Sequence, residues 1–181
     1  TNLKNTDMAN DFLEKTLEDI ICDNLEIIHE RGFATFYEHT FRQYPLPSGK
    51  RIDIFSYEIK DRCLYFKIIE LKGGSINVDA VWQITRYLWE INELCEGLIG
   101  EVKPTLILVG STTDEAVLML SELGITIEFY IYKYGYDGIE FKKWTNKMTY
   151  AEVESTPSMA GIEFVKSLRE PYNIEERMDN T

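Results

Sequence analysis

Between Arg51 and Leu71 the chain holds two largely apolar, β-branched runs, each interrupted by charge where an interior strand would carry a hydrophobe. In Arg51-Ile-Asp53-Ile-Phe the acid sits between two isoleucines; in Ile68-Ile-Glu70-Leu-Lys72 opposite charges stand at the strand's end. Side chains alternate along a strand, so Glu70 and Lys72 project to one face. A buried carboxylate or ammonium without a partner is costly. These groups must therefore pair, bind an ion or open onto a cleft, which requires a sheet that brings the ends of two strands to a common mouth. Such breaks in local consistency are where function is expected.

The polar turn Glu58–Arg62 separates the runs, so Arg51–Tyr57 and Cys63–Leu71 read as an antiparallel hairpin. Upstream, Asp11–Glu30 reads as an amphipathic helix, with Phe12, Leu13, Leu17, Ile20, Ile21, Leu25 and Ile28 at helical steps and Arg31-Gly32 as its stop. Phe33–Tyr44 reads as a first strand. Downstream, Gly73-Gly-Ser opens the backbone ahead of a helix over Val78–Cys95. Thr105–Val109, between Pro104 and Gly110, reads as a buried strand. Thr112 or Thr113 is placed to cap a helix over Asp114–Leu123, with Gly124 at its end. Ile125–Tyr134 and Ile139–Trp144 read as strands joined by an Asp137-Gly138 turn. The predicted order is helix, three strands, helix, strand, helix, strand, strand: an α/β sandwich around a mixed sheet. Residues 1–150 read as one domain. Residues 151–181 read as an extension, with a short helix from Pro157-Ser158 to Leu168 and then an acidic tail.

A net charge of −12 runs against the basic footprint expected of a nucleic-acid binder. Its distribution matters more than its sum. Residues 1–30 and 151–181 together carry −10 of it, leaving −2 for residues 31–150, and Asp53 and Glu70 are among the acids of that middle. A bound divalent ion would cancel the remainder, so nucleic-acid affinity is expected to be modest and salt-sensitive. The acidic ends suit a protein partner. Cys22, Cys63 and Cys95 are widely spaced within apolar patterns and show no zinc spacing, as expected for reduced thiols in a cytoplasmic protein. No apolar run approaches the roughly 18 residues of a membrane span, and no secretory leader pattern opens the sequence.

Phosphodiester cleavage needs the groups that these strands supply. Asp53 and Glu70 offer hard oxygen ligands for Mg²⁺, with Mn²⁺ as a substitute, and the backbone carbonyl of Leu71 is a further candidate. Such an ion polarises the scissile phosphate and lowers the pKa of a bound water. Lys72 is the candidate for positioning that water or stabilising charge on the phosphate. Gln83, Arg86 and Tyr87 share one face of the following helix. Gln83 is placed to orient Lys72 or a water, and Arg86 to grip phosphate through its forked guanidinium, with Tyr87 in support. Arg51 is a further candidate for substrate contact.

Asp53 in Lys50-Arg-Ile-Asp-Ile, Glu70-Leu-Lys72 and Gln83-Ile-Thr-Arg86-Tyr87 together resemble the PD-(D/E)XK, or restriction-endonuclease-like, nuclease superfamily. Within it the chain is most similar to the catalytic domain of NucS/EndoMS-type DNA endonucleases. Leu17-Glu18-Asp-Ile-Ile21 with Asn24-Leu-Glu26-Ile-Ile28 is similar to the family's first helix, which makes Glu18 a third carboxylate candidate for the metal. Leu106-Ile-Leu-Val109 and Gly124-Ile-Thr-Ile-Glu128 look like the end of that domain, so the resemblance covers about residues 11–132. It implies a central mixed sheet flanked by helices, Mg²⁺ dependence, endonuclease activity on DNA, and metal ligation by Glu18, Asp53 and Glu70. The Pro of the superfamily's name is absent, and Gly73-Gly74 stands where the family often has basic residues. Mismatch recognition does not carry over.

Each candidate has a plainer alternative. Glu18 competes with Glu14, one turn away on the same side, and either also reads as an exposed helix acid. His29 and His39 have no partner spacing, which disfavours histidine acid–base catalysis. Trp82 and Trp89 read as packing residues. Lys142-Lys143-Trp144, with Lys147, is a basic cluster placed to touch a nucleic-acid backbone, though an exposed hairpin end is the default. Against DNA hydrolysis stand RNA cleavage at the same site and a catalytically silent nuclease fold that binds a protein or nucleic-acid partner, as in a phage or defence system. Cutting both strands would call for a homodimer.

Overall fold

The structure, a computed structural model, describes residues 2–117 and 127–144. Its frame is a six-stranded mixed sheet built from β1 (His39–Pro45), β2 (Arg51–Lys60), β3 (Cys63–Leu71), β5 (Glu101–Gly110), β7 (Ile127–Gly135) and β8 (Gly138–Trp144), in that spatial order. The first three strands form an antiparallel meander; β3, β5 and β7 run parallel, and β8 returns antiparallel. Two short strands, β4 (Ser75–Ile76) and β6 (Thr112–Thr113), make a separate parallel pair.

Helix α2 (Val78–Cys95) carries the crossover from β3 to β5 and matches its predicted range. Asn77 starts it by accepting the Ala80 N–H at 3.0 Å. Its buried stripe of Ala80, Val81, Ile84, Tyr87 and Ile91 meets Phe55, Phe66, Ile68, Leu106 and Leu108 on one face of the sheet. The other face packs Ile54, Ile69, Ile107, Val109, Tyr130 and Tyr132 against Leu17 and Ile21 of α1 (Asn2–Cys22) and against Ile28 and Phe33. Burying both faces explains why β3 and β5 read as near-continuous apolar runs.

Several boundaries differ from the sequence reading for local reasons. Helix α1 ends at Cys22 and not Glu30, because Asn24 donates its side-chain amide to the Ile20 carbonyl and the backbone leaves the helix there. Ile28–Arg31 is a separate 3-10 turn, closed by Gly32 at φ 93°. Phe12, expected on the buried stripe, is 70% exposed. Phe33–Glu38 is not strand: Phe33 plugs the α1-side core, and the Tyr37 N–H goes to the Ser56 hydroxyl at 2.8 Å. The β2–β3 turn tightens to Asp61-Arg62, both at positive φ (51° and 62°), which matches the twist of a two-residue hairpin. Thr112 and Thr113 pair as β6 and do not cap a helix. The expected helix beyond residue 117, its Gly124 stop and the extension 151–181 lie outside the described residues.

Gly73 and Gly74 follow β3 where backbones cross closely. A Cβ on Gly73 would run into the Asn10 carbonyl of α1, while Glu14 accepts the Gly73 N–H at 3.1 Å and Tyr132 donates its hydroxyl to the Gly73 carbonyl at 2.7 Å. This contact seats α1 beside the end of β3. Gly73→Ala should cost about 1–3 kcal/mol by overpacking, seen as a lower urea midpoint; an unchanged midpoint would show that α1 is not held there.

Candidate metal-dependent hydrolytic site

The β2–β3 ladder is regular from Lys60↔Cys63 to Ile54↔Ile69 and then stops. Continued by one step, the register would set Asp53 opposite Glu70. Instead the strands part, and the Asp53 carboxylate enters the gap, where Oδ2 accepts the Leu71 N–H at 2.8 Å. A side chain thus satisfies a backbone donor that the ladder would otherwise have used. In an extended strand the N–H and C=O of one residue point to the same edge, so the Leu71 carbonyl faces this gap as well.

Glu70 is 4% exposed and lies against Asp53. Its Oε1 is 3.7 Å from the Lys72 ammonium, and its Oε2 is buried with no hydrogen-bond partner. Lys72 Nζ donates to Gln83 Oε1 at 3.1 Å, and Gln83 Nε2 donates in turn to the Tyr87 hydroxyl at 2.7 Å. Tyr87 is buried to 2% exposure, so it anchors this chain and is not free to meet a substrate. Burial, and then the nearby Glu70 carboxylate, push its hydroxyl up to about 12.

The two carboxyls pay electrostatically for this arrangement. Burial pushes Asp53 up to about 6, against the lowering effects of the Leu71 N–H and Gln43. Burial, and then the Asp53 charge, push Glu70 well above the usual carboxylate range, with Lys72 opposing. Two acids held together out of water, one with an orphaned oxygen, are what a divalent cation would relieve. The donor set fits Mg²⁺, which takes one or two carboxylates and keeps several waters.

Glu18 stands apart from this pair. It is 8% exposed, but its oxygens accept from Arg42 Nε (2.9 Å) and Gln43 Nε2 (2.8 Å), and the same Gln43 amide donates to Asp53 Oδ1 at 3.2 Å. Among the described residues no three carboxylates converge closely enough to hold one ion. Helix α1 therefore contributes two acids by different routes: Glu18 through Gln43, and Glu14 through the Gly73 backbone.

Asp53, Glu70, Leu71, Lys72, Gln83 and Tyr87 thus come together as the sequence suggested. Arg51 and Arg86 are exposed, on the first residue of β2 and on α2. Lys142 and Lys143 are not at the site: β8 lies three strands from β3, about 14 Å across the sheet. Lys143 pairs with Glu128 at 3.0 Å. Sequence reasoning missed Gln43 and Arg42, whose signal was a polar pair inside an aromatic strand.

A mixed sheet with helices on both faces, and an Asp, a Glu and a Lys gathered where two strands separate, define a restriction-endonuclease-like nuclease fold. The family model of the endonuclease NucS C-terminal domain matches residues 13–144, and the chain belongs to that family. No curated protein and no solved structure gave a significant match.

The raised carboxyl carries a consequence for stability. Folded Asp53 holds its proton up to about pH 6, whereas its ordinary value is 3.8. Between these values the folded chain binds more protons than the unfolded one, so this contribution to stability falls as pH rises. Asn is always neutral but sets its NH₂ against one of the two donors that Asp53 accepts from, so the pH trend is the readout. Relative to native, metal-free Asp53→Asn should gain about 2–3 kcal/mol in stability between pH 4 and pH 8. Thermal unfolding at both pH values checks this; a difference between variant and native that does not change with pH would refute the assignment.

Proposed function

We propose that this chain is a divalent-metal-dependent nuclease that hydrolyses phosphodiester bonds in DNA. One observation carries the reading: Glu70, buried against Asp53 with an unpartnered oxygen, stands 3.7 Å from a lysine that Gln83 holds in place. Membership of the NucS C-terminal family supports it.

Asp53 and Glu70 would hold Mg²⁺ or Mn²⁺, together with the Leu71 carbonyl, with Glu18 at the far side of Gln43. When bound, the ion supplies Lewis-acid polarisation of the phosphate and a water of lowered pKa. Leu71 fixes Asp53 through its N–H, so one ligand is oriented before any substrate arrives. Lys72, steadied by Gln83, offers a fixed positive charge to the phosphate as negative charge develops. Tyr87 holds Gln83 from behind. Arg51 and Arg86, both exposed, are the candidates to grip the phosphate backbone through forked guanidinium groups.

Asp53→Ala and Lys72→Ala should each reduce Mn²⁺-dependent cleavage by at least 100-fold while far-UV circular dichroism stays native. The substrate panel is single-stranded, duplex, mismatched and branched DNA, with RNA alongside. Undiminished cleavage in both variants would overturn the proposal. Cleavage of RNA alone would redirect the substrate class, and Mn²⁺ binding without cleavage of any substrate would favour a silent nuclease fold. Because Asp53 and Glu70 must both lose their protons to ligate and burial raises both, Mn²⁺ binding to the metal-free chain should weaken as pH falls from 8.

A further inference from the structure

Gln43 lies within β1 at φ 48°, a left-handed backbone that a non-glycine residue seldom adopts. Neighbouring residues of a regular strand face opposite sides. The turn at Gln43 breaks that rule, and Arg42 and Gln43 both reach α1. Arg42 takes one oxygen of Glu18 (Nε to Oε1, 2.9 Å) and also pairs with Asp19; Gln43 takes the other (Nε2 to Oε2, 2.8 Å). The same amide nitrogen lies 3.2 Å from Asp53 Oδ1.

An amide NH₂ has two hydrogens and no full charge. Here it donates to two carboxylates at once, in the place a cation would take between them. Glu70 lies outside this contact, against Asp53 and Lys72. The acids therefore define two positions that share Asp53: one with Glu70, whose Oε2 is unpartnered, and one with Glu18, which the amide fills. Metal–oxygen bonds for Mg²⁺ are about 2.1 Å. An ion replacing the amide nitrogen would thus draw each carboxylate inward by roughly an ångström.

We propose that Gln43 is a built-in occupant of a second cation position, so that the native site takes a single divalent ion, held by Asp53 and Glu70. Removing the amide opens the second position between Glu18 and Asp53. This inference rests on the metal-dependent reading above, and Gln43 acts in it as a positioning residue, not a catalytic one.

The test is the stoichiometry of Mn²⁺ on the full metal-free chain at pH 8, by titration calorimetry with the free ion followed by electron paramagnetic resonance. Native protein should bind one ion. Gln43→Gly, which suits the left-handed backbone, should bind two, and so should Gln43→Glu, which replaces the amide by a further ligand. Two ions on the native chain would overturn the inference and leave the metal reading intact. So would one ion on both variants. No binding to the native chain would overturn both.

Discussion

The hydrogen bond from the Leu71 N–H to the Asp53 carboxylate is the contact on which the site depends. It lies where the β2–β3 ladder ends at Ile54↔Ile69, so it both terminates the pairing and fills the gap. On its other edge β3 stays paired with β5 as far as Leu71↔Val109. One strand thus remains anchored while its neighbour departs, and the acids and Lys72 face the opening between them. Moving Asp53 by one residue would turn its side chain to the other face and leave the Leu71 N–H without this acceptor.

Around that contact the two faces of the sheet have different tasks. Helix α2 holds the lysine side, because Gln83 and Tyr87 fall one turn apart and Tyr87 is locked in the core. Helix α1 reaches the end of β3 through Glu14 at Gly73, and Asp53 through Glu18 and Gln43. The cost is visible in the same geometry: two carboxyls are raised by burial and one buried oxygen has no partner. The surrounding apolar layers, with Ile52, Ile54, Ile68, Ile69 and Ile107 fully buried, must outweigh that penalty.

Much of the frame was legible because it is local. Cys63–Leu71 and Val78–Cys95 have the predicted bounds, since a strand apolar on both faces and a helix with a regular stripe each declare their period. The acids and lysine stood out as charges inside those periods. The end of α1, the late start of β1 and the pairing of Thr112-Thr113 were not legible, because each depends on a partner distant in sequence or on a side chain competing with the backbone. Lys142-Lys143 illustrates the reverse error: a basic cluster is evident in one dimension, but strand order puts it three strands from the acids.

The sequence by itself singled out Asp53, Glu70, Lys72 and Gln83 as candidates, because alternation and helical spacing are properties of a single element. Only the tertiary structure decided how the acids are divided. Glu18 and Asp53 are 35 positions apart and meet through Gln43, whose left-handed backbone no local pattern announces. Gly73 and Gly74, which read as a mere opening before a helix, are where α1 crosses the end of β3. Hydrogen bonds between elements form only after the sheet has set their distance, so the contents of the gap belong to the fold and not to any one segment.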